Sequence, residues 1–287
     1  MQEIVDRVFI ETHYPGVTLG AIEREHGLIL VDSPFRQDDT RSWRSSLLNL
    51  GGGIARILVQ MDAHIDRSMG AKAMECTILS HIEAANIFQN RPASIKAQAI
   101  DSGAEWENYN GLGSIRWGTP HITFSEHMTL HWDPNPVELE YRPGIAYGSI
   151  WVDLPVEKVL FFGDAILNKQ TPFLSDADLP VWIGHLKSLF SPKYQDYFLV
   201  SGRSGLVTLE EVHHQVEFLW EVNEKVTELG SHKASLDAVS KLVPDLMKKL
   251  VNLPAKQYEL QEKRLSYGLQ MYYAQRYLEK SLKKEVN

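Results

Sequence analysis

Ile57-Leu-Val-Gln-Met-Asp-Ala-His-Ile-Asp-Arg67 is an apolar strand that runs directly into Asp62, His64 and Asp66 at alternating positions, with Arg67 immediately behind them. Two carboxylates and an imidazole spaced two apart offer hard oxygens and a borderline nitrogen. That is the donor set of a divalent cation when neighbouring loops complete the shell. The same spacing also occurs as ordinary loop polarity, so the trio takes its meaning from what surrounds it.

Three further apolar runs end in small or charged residues: Leu30-Val-Asp-Ser-Pro34, Leu160-Phe-Phe-Gly-Asp164 and Val200-Ser-Gly-Arg-Ser-Gly205. Together with the opening Pro15-Gly-Val-Thr-Leu-Gly20, their order and spacing over roughly residues 4 to 222 resemble the metallo-β-lactamase superfamily. The resemblance implies an α/β (α+β) four-layer αββα sandwich, with ligand-bearing loops collected at one sheet edge.

The resemblance also assigns positions. The family's T-H-x-H-x-D-H motif places its first metal-binding His on Asp62, its second on His64, its aspartate on Asp66 and its last His on Arg67. The mid-chain His falls on Ile145, within Arg142-Pro-Gly-Ile-Ala-Tyr-Gly-Ser-Ile150. The bridging aspartate is Asp164, and the His of the closing Gly-His-Gly is Arg203. So His64, Asp66 and Asp164 keep their type, Asp62 changes to another ligand, and Arg67, Ile145 and Arg203 lose coordination.

Arg67 and Arg203 both fall on the family's second metal position, beside Asp66 and Asp164. Two guanidiniums carry the charge of one zinc ion and can hold carboxylates in bidentate forks, so Asp66–Arg67 and Asp164–Arg203 contacts are expected to replace a metal. At the first position Asp62, His64 and Asp164, with Asp66 nearby, could still hold one divalent ion at low occupancy. Its oxygen-rich shell would admit manganese or iron as well as zinc. The cofactor expectation is therefore none, or one such metal.

Two functions follow. One is a metal-depleted pseudoenzyme or ligand-binding protein, with Arg67, Arg203, His13 and Tyr147 as contacts for a small-molecule ligand. The other is a hydrolase with a reduced single-metal site, Asp66 and His64 serving catalysis on an ester, lactone or phosphodiester. Metal-free catalysis, with the arginines stabilising an oxyanion, is a third arrangement of the same residues.

Composition narrows the partners. The chain has 287 residues, 44% apolar and 23% charged, enough for one large core, and its formal charge of -8 speaks against a nucleic-acid ligand. The single Cys76 excludes an internal disulfide. Met1-Gln-Glu-Ile-Val-Asp-Arg lacks the basic start and apolar run of a signal peptide, and no stretch reaches the ~20 apolar residues of a membrane span, so a cytoplasmic protein without a membrane partner is expected.

Apolar patterning predicts strands at 8–10, 19–23, 28–31, 57–59, 77–79, 122–124, 128–131, 137–141, 149–153, 159–162 and 197–200, and helices over Asp39 to Leu50 (ended by Gly51-Gly-Gly53) and Ile82 to Phe88. A long loop with aromatic anchors spans Asp101 to Trp117 and includes Trp106, Tyr109, Gly111 and Gly113. From Thr208 the texture is wholly helical: Leu209, Val212, Val216 and Leu219, then Leu236, Val239, Val243 and Leu246, recur at helical steps. Residues 1–229 are expected to form the sandwich and 230–287 a C-terminal helical extension. After Pro254, a final helix running to a basic end at Lys280 to Lys284 carries Tyr258, Tyr267, Tyr272, Tyr273 and Tyr277, which suit a lid over the site or a homodimer seam.

Overall fold

The computed structural model describes residues 1–51, 55–91, 102–110, 112, 115–250 and 255–278. Gly52, Gly53, Asp101, Gly111, Gly113, Pro254 and the stretch 279–287 lie outside the described residues.

Runs of β-branched and aromatic residues alternate between two faces, and that alternation builds two sheets. The first contains β1 (Gln2–Val5), β2 (Val8–Glu11), β3 (Leu19–Arg24), β4 (Gly27–Val31), β5 (Arg56–Val59), β6 (Thr77–His81) and β7 (Ile122–Phe124) in that spatial order. It is antiparallel up to β4 and parallel from β4 to β7. The second contains β8 (His127–Leu130), β9 (Val137–Tyr141), β10 (Ile150–Leu154), β11 (Val159–Phe161), β12 (Phe198–Ser201) and β13 (Gly205–Val207), with β11 and β12 its one parallel pair.

Period-two patterning explains why the sheets stack. Ile29 and Val31 of β4 point inward, where they join Val8, Ile10, Val59, Leu139, Val152, Phe161 and Val200 in the core between the sheets. Leu28 and Leu30 of the same strand point outward and pack with Trp43 of helix α1 (Gln37–Ser46). On the far side Trp151, Leu160 and Leu199 meet α4 (Leu179–Ser188) and α5 (Leu209–Ser231), completing the αββα layers. Two shorter helices, α2 (Ile65–Ser68) and α3 (Ile82–Asn90), follow β5 and β6.

Helix α5 starts at a capping box in which Thr208 and Glu211 satisfy each other's backbone amides. Beyond it, α6 (Leu236–Ser240), α7 (Val243–Met247) and α8 (Tyr258–Tyr273) place Val239, Val243, Leu246, Leu265 and Leu269 in the same cluster as Trp151 and Leu160. The C-terminal segment therefore shares the outer-layer core of the second sheet. Tyr272 and Tyr273 are buried in it, and Tyr273 donates to the Ala234 carbonyl at 2.7 Å.

Some expected boundaries move. The helix expected over Asp39 to Leu50 ends at Ser46 and tightens into a 3₁₀ turn over Leu47–Asn49. The strand expected at 128–131 is His127–Leu130, and the one expected at 197–200 is Phe198–Ser201. Strands β1 and β13 and helix α4 were not expected at all. Gln2-Glu-Ile-Val5 is a half-exposed edge without a strong apolar signature, β13 is three residues long, and α4 opens with Pro180 behind an Asp178 cap, a start signal without an apolar run before it. Among the described residues no helix is long and apolar enough to cross a membrane.

Candidate functional site

Four loops that leave the C-terminal ends of β4, β5, β11 and β12 meet at one end of the sandwich. Asp32 follows β4 in the left-handed backbone region (φ 58°), which aspartate tolerates better than most residues, and its Oδ1 accepts from the Met61 amide at 3.0 Å. Asp62 closes an Asx turn by accepting from the His64 amide at 2.8 Å, which turns the chain into α2. Gly163 (φ 60°) and Gly202 give Asp164 and Arg203 their approach. A Cβ on Gly202 would lie 2.7 Å from Nη1 of Arg67, so glycine there leaves room for a guanidinium.

Arg67 is wholly buried in the middle. Its Nη1 donates to Asp32 Oδ2 at 3.1 Å, its Nη2 to Asp164 Oδ1, and its Nε lies 3.4 Å from Asp62 Oδ1. Arg203 donates from Nε to both oxygens of Asp164 at 3.0 Å and from Nη1 to Asp66 Oδ2 at 2.6 Å. Asp66 also accepts from the amides of Trp106 at 2.8 Å and Glu105 at 3.3 Å. The result is a chain of ion pairs running Asp32, Arg67, Asp164, Arg203, Asp66.

The Asp164–Arg203 contact is therefore present, whereas the expected Asp66–Arg67 contact is not: Asp66 pairs with Arg203 instead. The reason is helical geometry. Asp66 and Arg67 are adjacent on α2, and neighbours in a helix do not face the same direction.

Burial opposes ionisation of Asp62, but Arg67 and His64 outweigh it and hold its carboxyl below the usual range. Asp164 is held down in the same way, by Arg203 and Arg67. At Asp32 burial wins over Arg67, and its carboxyl is pushed up to about 7. Burial works against the charge on Arg67, yet Asp164, Asp62 and Asp32 more than compensate and raise it above its ordinary value.

A second cation, on Asp66 and Asp164, does not fit this arrangement. Guanidinium nitrogens already face both carboxylates, and a metal brought there would meet like charge in a low-dielectric site. The first position differs. Asp62, His64 and Asp164 each offer a ligand atom, all within 4.8 Å of one another. His64 Nδ1 is buried without a hydrogen-bond partner among the described residues, 3.4 Å from Asp62 Oδ1 and 3.6 Å from Asp164 Oδ2. An orphaned imidazole nitrogen between two carboxylates fits a single divalent ion. Ile145 supplies no donor and is buried in the outer-layer core.

Over this centre opens a cavity of about 190 Å³, lined by His64, Asp66, Arg91, Trp106, Tyr147, Phe173, Asp176, Arg264 and Tyr267 among others. Phe173 is part of this lining. The His64 ring lies 4.7 Å from the Phe173 ring, and the guanidiniums of Arg203 and Arg264 sit 4.5 and 4.1 Å from its centroid. Tyr147 reaches this cavity, whereas Arg67 and Arg203 lie behind it in the ion-pair chain. His13 is not among the lining residues: its exposed ring pairs with Glu11 at 2.5 Å. His81 caps α3 and bonds the Ser125 carbonyl at 2.7 Å, and His127 pairs with Glu138, so both serve structure.

Sequence reasoning missed Asp32 as the partner of Arg67, and it missed Arg91, Phe173, Asp176 and Arg264 as cavity wall; of the final-helix tyrosines expected over the site or at a seam, Tyr267 lines the cavity. Asp32 lay in a quoted turn and could have been weighed as a counter-ion. Arg264, one basic residue among several on an amphipathic helix, carried no local signal.

No family model matches the sequence, and no curated protein does. The structure is similar to a metallo-β-lactamase from Pontibacter korlensis (TM-score 0.58, 19% identity, 76% of this chain and 97% of that one). It is also similar to a metallo-β-lactamase family protein from Thermus thermophilus (TM-score 0.62, 17% identity, 95% and 94%). A stereoselective inverting sec-alkylsulfatase from Pseudomonas sp. matches with a TM-score of 0.62 and 17% identity over 96% of this chain, which spans 49% of that protein. The chain has the metallo-β-lactamase fold.

Proposed function

We propose that this metallo-β-lactamase-fold chain is a ligand-binding pseudoenzyme, in which a salt-bridged centre stands where the fold elsewhere serves metal chemistry and a small molecule binds in the cavity above it. The observation that carries this reading is Arg67. A fully buried guanidinium bonded to Asp32 and Asp164 and beside Asp62 occupies the centre and supplies the positive charge those carboxylates require. Arg203 does the same for Asp66, whose oxygens also accept two backbone amides, so Asp66 is poorly placed to act as a base.

A second reading rests on the orphaned Nδ1 of His64. Asp62, His64 and Asp164 would hold one divalent ion, which when bound would supply Lewis acidity and an activated water for hydrolysis of an ester, lactone or phosphodiester. In that reading the chain's own contribution is orientation: Arg67 fixes Asp164 and stands beside Asp62, and Phe173 packs against the imidazole.

Elemental analysis of the full chain purified without chelator separates the two, with His64→Gln as the control because His64 is not a link in the ion-pair chain. Metal far below one equivalent and unchanged in the variant is the expected result. About one equivalent of manganese, iron or zinc, lost in His64→Gln, would overturn the pseudoenzyme reading in favour of the hydrolase.

A further inference from the structure

Arg264 comes from α8, outside the sandwich, and its side chain is almost wholly buried (1% exposed) in the cavity wall. Its Nε donates to the Gly103 carbonyl at 2.9 Å, and its Nη1 donates to Gln170 Oε1 at 3.2 Å and the Thr171 carbonyl at 3.3 Å. All three acceptors are neutral, and Nη2 is buried with no partner among the described residues. Among the described residues the 4 Å ion pairs do not include Arg264, although Asp66, Glu105 and Asp164 act on it through space. Burial first, and then Arg203, pull it down to about 10, so it stays cationic at neutral pH without a counter-ion in contact.

Arg91 repeats the pattern on the same cavity. It donates to the Ala63 carbonyl, its other nitrogen lies 3.5 Å from Ser68 Oγ, and its guanidinium sits 4.8 Å from the Trp117 ring centroid and 5.0 Å from that of Phe88. It too has no carboxylate within ion-pair distance among the described residues, and burial brings it to about 10. In a chain of net charge -8, two cations held without contacting anions among the described residues in one cavity wall are an unsatisfied arrangement, since a buried charge is normally paired. Asp176, the acid on the wall that is not already ion-paired among the described residues, is held above the usual range by burial, with His64 and Arg91 opposing.

The wall is closely packed where α8 meets the Gly103 loop and Leu174. Gly103 (φ 72°) brings its loop so close to α8 that a Cβ would lie 2.6 Å from the Arg264 backbone nitrogen, and Gly268 seats the same helix against Leu174.

We infer that this cavity binds a small organic anion with an apolar body, its carboxylate or phosphoryl group held by Arg264 and Arg91 and its body against Phe173, Trp106 and Tyr267. The inference rests on the reading of the cavity as a ligand site and names the ligand's class. Guanidinium forks match planar carboxylates and phosphoryl oxygens alike, and the volume of about 190 Å³ accommodates a body the size of a small ring.

Calorimetric titration of the full chain with benzoate, phenyl phosphate and the neutral isostere benzamide tests it. At least one of the two anions should bind saturably, with benzamide at least about tenfold weaker, and affinity for the anion should fall at least about tenfold in both Arg264→Gln and Arg91→Gln. The tighter of benzoate and phenyl phosphate names the anionic group. Arg91→Gln keeps the test decisive should Arg264→Gln fail to fold. Binding of neither anion, benzamide binding equal to that of the anions, or unchanged affinity in Arg91→Gln would overturn the inference. The metal content of the same preparation fails or stands separately: stoichiometric metal with arginine-dependent anion binding sinks the pseudoenzyme reading and leaves the anion site, as a substrate pocket, intact.

Discussion

Two pairs of arginines lie at the same end of this sandwich and live in opposite electrostatic surroundings. Arg67, on α2, and Arg203, on the loop after β12, each contact at least two carboxylates, so their charge is spent on holding these segments together. Arg264 and Arg91, on α8 and just after α3, line the cavity and contact carbonyls, an amide, a hydroxyl and aromatic rings, so their charge is left over. Residue type and burial are similar in the two pairs. What differs is the identity of the acceptor, and on the proposed anion site that difference separates a structural cation from one available to a ligand.

Removing Arg67 should break the contrast most forcefully. Arg67→Met strands Asp62 and Asp164 with one cation fewer and Asp32 with none, and urea denaturation should show a loss of about 3–5 kcal/mol, the cost of an uncompensated buried charge. A loss below about 1 kcal/mol would mean that the centre does not depend on its guanidinium, and that the two pairs are alike.

A pH series sharpens the contrast within the centre. Asp32 binds its proton more tightly when folded (about 7, against an ordinary 3.8), so its contribution to stability is complete below 3.8 and is lost as pH rises through 7. Asp62 and Asp164 are shifted the other way, so their contribution is present above 3.8 and is lost as pH falls into the acid range. Stability should therefore be greatest in mildly acidic solution and decline by a few kcal/mol, in order of magnitude, towards pH 8. Asp32→Asn should flatten that decline; an unchanged slope in guanidinium titrations at several pH values would remove Asp32 as its source.

The smallest effect is expected on the other side of the comparison. Arg264→Gln loses hydrogen bonds to neutral acceptors, each worth about 1 kcal/mol net, but it removes a buried cation and strands no carboxylate in contact. Its stability should change by less than about 2 kcal/mol, well short of Arg67→Met in the same denaturant series. A loss as large as that of Arg67→Met would show that Arg264 is structural and that the division between the pairs is false.

The strands along the chain and the helical C-terminus were legible in the sequence because each depends on local periodicity, and the two-sheet sandwich was legible through the resemblance to the metallo-β-lactamase superfamily: Leu28-Ile-Leu-Val31 shows two apolar faces by itself, and Thr208-Leu-Glu-Glu211 announces a helix start. The meeting of Asp62, His64, Asp66, Arg67, Asp164 and Arg203 was also readable, since strand ends at one sheet edge converge once the fold is known. Tertiary structure alone decided which arginine holds which aspartate, because that depends on side-chain direction: α2 turns Asp66 towards Arg203 and sends Arg67 between Asp32 and Asp164. It alone brought Arg264 beside Phe173, across a sequence separation that leaves no pattern to read. Periodicity is a property of neighbours along the chain, whereas the pairing of charges is a property of neighbours in space.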